Sequence, residues 1–387
     1  MEALIGLILV VLILQFIFVL WNQRYLCSLQ ELADQGRKSK VTKVSRDEER
    51  PLISILIPAR NEAHNIDACI ESIVNNCNTS MNVEVLVLDD NSTDGTGEKV
   101  KAWSHQNHSI RLIQGKEKPE DWLGKSYACH QLAQEARGSW WLFFDADTRL
   151  KPGGLARTLQ VAESQGQGLI TGIPYQITGT WMEKIVLPMM MFTLLCHLPL
   201  RWVSASPNPL FSAAHGAFLF VHRQTYQAFG GHEAFKEHLL DDMEMARAVK
   251  RVGHKLTLAA IHDDVEMRMY QNGTEVWNGF KKNTFAGIGR NIFLLLLITL
   301  YYTFLYLVPP VFFFFSLLLT GTFWPLALLA WLMGLLLKVV IDRKSRQPIW
   351  LSLFLPLSIL IIILIGWDST RSAYWGSGYI WKGRSYS

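Results

Sequence analysis

Long apolar runs near both ends of the chain limit what it can fold into more than any other feature. Ala3 to Trp21 is uncharged, and its 19 residues come close to the roughly 20 that a bilayer-spanning helix needs. From Asn291 to Ile341 the chain is almost continuously apolar, with an external turn expected at Thr320 to Thr322. This run is about two spans long. The basic stretch Asp342 to Gln347 comes next, followed by a last apolar run from Trp350 to Trp367. Hydrophobic residues are 50% of the 387 and charged ones 18%, but the apolar excess is concentrated in these runs. The middle reads as an ordinary soluble domain, and the length suits one α/β domain plus a membrane part.

A cleaved signal peptide would carry basic residues before its apolar run and a small-residue cleavage site after it. Here Met1 and Glu2 precede the run, and Arg24, Arg37, Lys38, Lys40 and Lys43 follow it. That pattern predicts a retained anchor with the central domain on the cytoplasmic side of the cell membrane. The basic loop at 342–347 falls on the same side after two further spans. A fourth full span puts Arg371, Lys382 and Arg384 outside, against the charge rule, yet four spans are preferred over three plus a re-entrant segment. The expected division is an anchor at 1–22, a domain at 45–290, a membrane region of about three spans at 291–368 and a tail at 369–387. Lys338 lies near a span end, where it can snorkel, so no buried ionisable residue marks a transport pathway. Five cysteines, Cys27, Cys69, Cys77, Cys129 and Cys196, form no ligand spacing and are expected to stay reduced. The net charge of +4 calls for no nucleic-acid partner, since a basic skirt near anionic headgroups accounts for it.

Between about Ser45 and Arg290, short apolar runs alternate with helical patterns, which predicts a mostly parallel sheet covered by helices. The expected strands are Leu52 to Ile57, Val83 to Leu88, Arg111 to Gln114, Trp140 to Phe144 and Phe218 to Val221. Helices are expected near Asn65 to Asn75, Thr96 to Ser104, Ser126 to Ala136 and Gly154 to Ser164. Lys184 to Val203, rich in Met and Leu and broken by Pro188 and Pro199, reads either as a buried helix pair or as a segment lying on the membrane. Two strands run directly into polar residues, Arg60-Asn61-Glu62 and Asp89-Asp90-Asn91-Ser92. Ligands of open α/β sheets bind at these carboxyl ends. No GxGxxG follows a strand and no Walker A sequence is present, which argues against a dinucleotide oxidoreductase and a P-loop enzyme.

Asp145 and Asp147 follow the strand Trp140 to Phe144. On extended backbone, residues i and i+2 face the same way, giving a hard-oxygen site suited to Mg²⁺ or Mn²⁺ shared with phosphates; a turn or helix cap is the plainer alternative. Asp89 and Asp90 precede a turn, where a carboxylate can accept a base N–H or ribose hydroxyls. Asp241 and Asp242 open a helical pattern, a position the helix dipole favours in any case, although transfer to a hydroxyl also calls for one general base. Lys125 can meet phosphate or be solvated. Trp277 can stack on a sugar or simply pack. The histidines, His215 and His232 included, show no zinc spacing.

Taken together, seven segments resemble family 2 glycosyltransferases of the GT-A fold, a Rossmann-like α/β fold. They are IPARNE at 57–62, LDDNSTDGT at 88–96, GKSYAC at 124–129, FFDADT at 143–148, GGHEAF at 230–235, LLDDMEMARAVKRVG at 239–253 and RMYQNGTEVWNGFKKN at 268–283. The narrower resemblance is to membrane enzymes that glycosylate carotenoid acids and to a hopanoid-associated group, which implies a terpenoid-type lipid acceptor. The resemblance also implies that Pro58, Arg60 and Glu62 line a nucleotide pocket and that Asp90 contacts the base. Lys125 and Asp145 would lie along the ribose and diphosphate, Asp147 would hold the metal, and Asp242, or its neighbour Asp241, would be the base. Arg268 and Trp277 would lie toward the acceptor. The usual donor base is uracil, with guanine open. The Gln/Arg-x-x-Arg-Trp motif of polysaccharide synthases is not matched, which counts against processive synthesis.

These expectations give an inverting, single-displacement transfer from a nucleotide sugar to a membrane lipid. Two rivals remain: transfer to a polyprenyl phosphate, for which Arg201, Arg268, Lys281 and Lys282 offer basic contacts, and a catalytically silent nucleotide-binding scaffold.

Overall fold

The computed structural model describes residues 2–39, 52–77, 81–320, 324–375, 379–381 and 384–386. They form two compact units, one of Leu26–Ile177 with Leu200–Met269 and the other of Met1–Tyr25, Thr178–Pro199 and Tyr270–Ser387.

The first is a sheet unit. Its strands are β1 (Ile53–Ala59), β2 (Val83–Asp89), β3 (Ile110–Gln114), β4 (Trp140–Phe144), β5 (Thr148–Leu150), β6 (Leu169–Ile173), β7 (Tyr175–Gln176), β8 (Phe218–His222), β9 (Leu256–Ala260) and β10 (Val265–Met267). Seven make one sheet in the order β3-β2-β1-β4-β8-β6-β9. The strands β3, β2, β1 and β4 are mutually parallel, while β8 runs antiparallel to both its neighbours. The small sheet β5-β10-β7 completes the unit. β1 and β4 are apolar almost throughout and nearly all buried, as strands covered on both faces must be. The expected mostly parallel α/β architecture is therefore present. β6 and β9 were not expected from the sequence.

This unit starts earlier than residue 45. The Cys27 carbonyl accepts the Ala260 N–H at 2.8 Å, Ser28 bridges to the same residue, and the helix Leu29–Ser39 packs on the helix Gly154–Gln165. A Cβ on Gly36 would sit 2.5 Å from Ser164 Cβ, so glycine allows that close approach. The unit also ends before residue 290, because Tyr270 and the residues after it pack elsewhere.

The second unit is helical. Four of its helical stretches, Glu2–Tyr25, Ile292–Leu318, Trp324–Lys344 and Ile349–Trp375, are long and apolar enough to cross a membrane. Of the turn expected at Thr320 to Thr322, residues 321 and 322 lie outside the described residues. Two π-helical turns, Thr303–Leu307 and Ser316–Thr320, interrupt the second stretch. The first directly precedes Pro309 and Pro310, which supply no N–H to the helical ladder. The last helix continues to Trp375, past the expected tail start at 369. It can do so because Asp368 is satisfied within the unit, taking the Trp277 indole N–H at 2.8 Å and the Lys281 ammonium at 3.0 Å.

The segment Lys184 to Val203 resolves into helices Trp181–Val186, Met189–His197 and Arg201–Ala205. The first two belong to the helical unit, where Ile185, Val186 and Leu187 pack with Val276 and Ile365. Lys338 does not snorkel: it is buried and ion-paired to Asp342 one turn on, whose other oxygen accepts Ser352 Oγ at 2.8 Å. Asp342 therefore belongs to a buried pair and not to the basic loop. A lysine with a counter-ion inside the bundle has no need to reach for water.

Candidate active site

The parallel strands bring their polar ends to one edge of the sheet. Register pairs Ala59 with Asp89, so Arg60 and Asp90 leave neighbouring strands side by side. The Arg60 guanidinium donates to the Asp90 carbonyl at 2.5 Å, and the Asp90 N–H returns to the Ala59 carbonyl at 2.8 Å. The two loops are laced further by Asn61 N–H to Ser92 Oγ, Glu62 N–H to Thr96 Oγ1 and Ala63 N–H to Asp94 Oδ2, each at 2.9 Å. Asn61 and Asn91 take left-handed φ of 53° and 54°, a conformation asparagine tolerates better than other side-chain-bearing residues. Asp89 is committed to this turn, accepting the Ser92 N–H at 3.0 Å. Glu62 is buried and accepts Asn65 Nδ2 at 2.9 Å. Pro58 is half-buried on β1.

The Asp145–Asp147 segment is a turn and not extended backbone, with the Thr148 N–H closing on the Asp145 carbonyl at 3.1 Å. Strand alternation therefore does not set the directions of the two carboxylates, and they have separate surroundings. Asp145 forms an ion pair with Lys125 at 2.6 Å. Lys125 sits in the first turn of the helix Gly124–Glu135. Burial works against its charge, but Asp145 and Asp241 outweigh burial and hold the ammonium well above its ordinary range. Asp147 is half-buried on the turn, which Arg149 fastens by donating to the carbonyls of Ala146 at 3.0 Å, Thr148 at 2.8 Å and Asn65 at 3.0 Å. β5 leaves this turn antiparallel to β10, with Thr148 opposite Met267, the residue before Arg268. Glu62, Asp145, Asp147 and Arg149 all act electrostatically on the buried Cys69, whose thiol burial pushes up to about 12.

The helix Asp241–Arg251 presents its first turn to the same group. Asp242 Oδ2 accepts the Gly216 N–H at 2.9 Å and Oδ1 its own neighbour's N–H, from Met243, at 2.7 Å. Asp241 Oδ1 accepts the Asp242 N–H at 3.0 Å. Burial, and then the Asp241 charge, raise the Asp242 carboxyl to about 6, close to where a general base works best at neutral pH.

The sequence reading missed two residues here, His215 and Gly216. Because β8 is antiparallel, with Phe218 opposite Phe144, the residues entering it lie beside Asp145 at the carboxyl ends of the parallel strands. A Cβ on Gly216 would stand 3.1 Å from Lys125 Nζ and 3.7 Å from Asp242 Oδ2, so this position admits little beyond glycine. His215 Nδ1 accepts the Ala217 N–H at 3.3 Å, which leaves the ring's other nitrogen as the donor. Burial lowers its basicity to about 4, with Asp145 opposing and Lys125 reinforcing the shift. HisGlyAla directly before a strand was the available signal, legible only once the strand's direction is known.

Trp277 belongs to the helical unit, on the helix Gly273–Gly287, with its indole N–H bonded to Asp368. Among the described residues, no three His, Cys, Asp or Glu side chains gather as a metal cage. A Mg²⁺ or Mn²⁺ that keeps phosphate and water ligands takes only one or two carboxylates from a protein, and Asp147 on its fastened turn fits that demand.

A mostly parallel sheet with acids from three strands and one helix near its carboxyl edge, joined in one chain to four membrane-length helices, is the architecture expected of a membrane glycosyltransferase of GT-A type. Residues 54–220 match Glycosyl transferase family 2, and the chain carries a domain of that family. The 4,4'-diaponeurosporenoate glycosyltransferase of Staphylococcus haemolyticus is 26% identical over 273 residues, covering 70% of this chain and 68% of the relative. Its Staphylococcus aureus counterpart is 27% identical over 242 residues, covering 61% of this chain and 62% of the relative. The chain thus spans about two thirds of the length of these relatives. A Pyrobaculum calidifontis mannosyltransferase, solved in complex with GDP-Man and Mn²⁺, shares the fold with a TM-score of 0.54 at 16% identity, over 97% of this chain and 99% of that one.

Proposed function

We propose that the chain is an inverting glycosyltransferase that moves a sugar from a nucleoside-diphosphate donor, a uridine one first among candidates, to a terpenoid-type membrane lipid at the cytoplasmic face of the cell membrane. The observation that carries this reading is the convergence of Asp145, Lys125 and Asp242 on the Gly216 backbone, with the turn that bears Asp147 adjoining. Arg60, Glu62 and Asp90, with Pro58 beneath them, would bind the nucleoside. Lys125 would contact the diphosphate while Asp145 orients it. Asp147 would hold a divalent ion, which supplies charge neutralisation for the departing diphosphate when bound. Asp242, steadied by two backbone N–H groups, would take the proton from the acceptor hydroxyl as its oxygen attacks the anomeric carbon in line; a carboxylic acceptor, already ionised, would need Asp242 only for positioning. Arg268 and Trp277 are assigned to the acceptor.

The resemblance to enzymes named for a carotenoid acid supports the lipid acceptor, and a donor such as the GDP-Man of the mannosyltransferase belongs in any panel. Arg201 and Arg268, basic residues of the sheet unit, are the ground for a second reading, with a polyprenyl phosphate as acceptor. Purified full-length protein, incubated with nucleotide sugars and either terpenoid carboxylic acids or polyprenyl phosphates, tests both. Labelled terpenoid product supports the first reading, labelled polyprenyl phosphate replaces it with the second, and donor binding without transfer to any lipid contradicts both.

A further inference from the structure

Among the described residues of the sheet unit, three large apolar side chains are exposed: Ile177 at 37%, Trp202 at 46% and Leu210 at 81%. Two of them lie in one tip. The Trp202 ring meets Phe211 edge-on at 4.6 Å between centroids, and Leu210 stands beside Phe211 in the turn Pro209–Phe211. The tip is held firmly. Asn208 Oδ1 accepts the Leu210 N–H at 3.0 Å, and the buried Lys250 ammonium donates to the carbonyls of Phe211 at 2.7 Å, Trp202 at 3.2 Å and Asn208 at 3.5 Å. A buried ammonium is tolerated only when so bonded, and these bonds keep the apolar side chains turned outward.

Chain connectivity says what covers them. Asn22, the last α-helical residue of the first membrane-length stretch, donates through Nδ2 to the carbonyls of Leu195 at 2.9 Å and Leu198 at 2.7 Å. Beside it, the rings of Trp21 and Tyr25 meet at 5.0 Å, the kind of aromatic pair that marks a membrane–water boundary. Leu198 is therefore at that boundary, and Trp202 follows it by four residues, a reach of at most about 14 Å. The exposed Arg201 between them suits anionic headgroups.

We propose that the tip formed by Trp202, Leu210 and Phe211 is seated in the boundary between headgroups and acyl chains of the bilayer, a membrane contact separate from the spans. The same segment runs on to Gly216, whose N–H holds Asp242, so the bilayer surface and the acid group are linked by a few residues of fastened chain. The proposal rests on the membrane spans and on no particular donor or acceptor.

The test uses the full chain in nanodiscs of phosphatidylcholine and phosphatidylglycerol, with Cys27 and Cys77 replaced by serine and a nitroxide attached through Leu210→Cys. A label attached through Lys101→Cys, exposed on the helix Thr96–Gln106, is the aqueous control. The Leu210 label is expected to favour collision with oxygen over a water-soluble nickel chelate by about tenfold relative to the control, as an interfacial site does. Equal ratios at the two positions overturn the proposal. This readout requires no turnover, so its failure is distinguishable from failure of the proposed reaction.

Discussion

Asp241→Asn separates the two adjacent acids by charge with little change of shape. An asparagine Oδ1 can still accept the Asp242 N–H that Asp241 takes at 3.0 Å, so the first turn of the helix keeps its bond. What disappears is the negative charge that, after burial, is the second cause holding Asp242 at about 6. One neighbouring charge of this kind is worth on the order of one pKa unit, about 1.4 kcal/mol. If Asp242 is the base, kcat/KM of the native protein rises with pH to a midpoint at about 6, and in the variant the midpoint moves to about 5. At pH 5 the deprotonated fraction then grows from about a tenth to about a half, so activity relative to the plateau rises about fivefold. Stability should move with it. A carboxyl raised from 3.8 to about 6 binds its proton more tightly in the folded state, so stability falls as pH climbs through that window. Initial rates of nucleoside-diphosphate release between pH 4.5 and 8, with thermal melts alongside, measure both. A limb that stays at its native midpoint in the variant refutes the assignment of Asp242 as the titrating base.

Asp147→Ala should lower turnover by at least about a hundredfold and abolish its dependence on Mn²⁺ or Mg²⁺ concentration, as a metal titration of initial rates would show. Arg149→Ala cuts the bonds that fasten the Asp147 turn; it should raise the metal concentration needed for half-maximal rate several-fold while the Asp242 pH limb stays in place. Asp342→Asn leaves Lys338 buried without its counter-ion and should cost about 3 to 5 kcal/mol, whereas Lys338→Met/Asp342→Leu should cost far less. Denaturation of these two variants and the native chain in detergent measures the difference. Gly97→Ala would set a Cβ 2.7 Å from Asp89 Oδ2 and should lower the melting temperature by several degrees, measured with donor absent.

Much of the sheet unit was legible because β1 and β4 are nearly continuous apolar runs that end abruptly in charge, as buried parallel strands do. β6 and β9, LITGI and LTLAA, carry glycine, alanine and threonine in place of bulky residues and gave no comparable signal. The site was legible wherever a residue follows a parallel strand, as Arg60, Asp90 and Asp145 do. His215 and Gly216 precede an antiparallel one, and nothing in a five-residue apolar run records its direction. Nor did hydropathy show that Lys338 and Asp342, one helical turn apart, face each other inside the bundle, or that the helix Leu29–Ser39 belongs to the sheet unit.

The most direct test of the central claim is donor consumption by full-length protein in detergent or nanodiscs, with a panel of nucleotide sugars, Mn²⁺ or Mg²⁺ and lipid extract, comparing the native chain with Asp147→Ala and Asp242→Asn. The account predicts nucleoside-diphosphate release that needs both metal and lipid, is lost in the Asp147 variant and is lowered in the Asp242 variant, with the sugar label recovered in the lipid phase. Release that ignores lipid, or that survives intact in both variants, would contradict it.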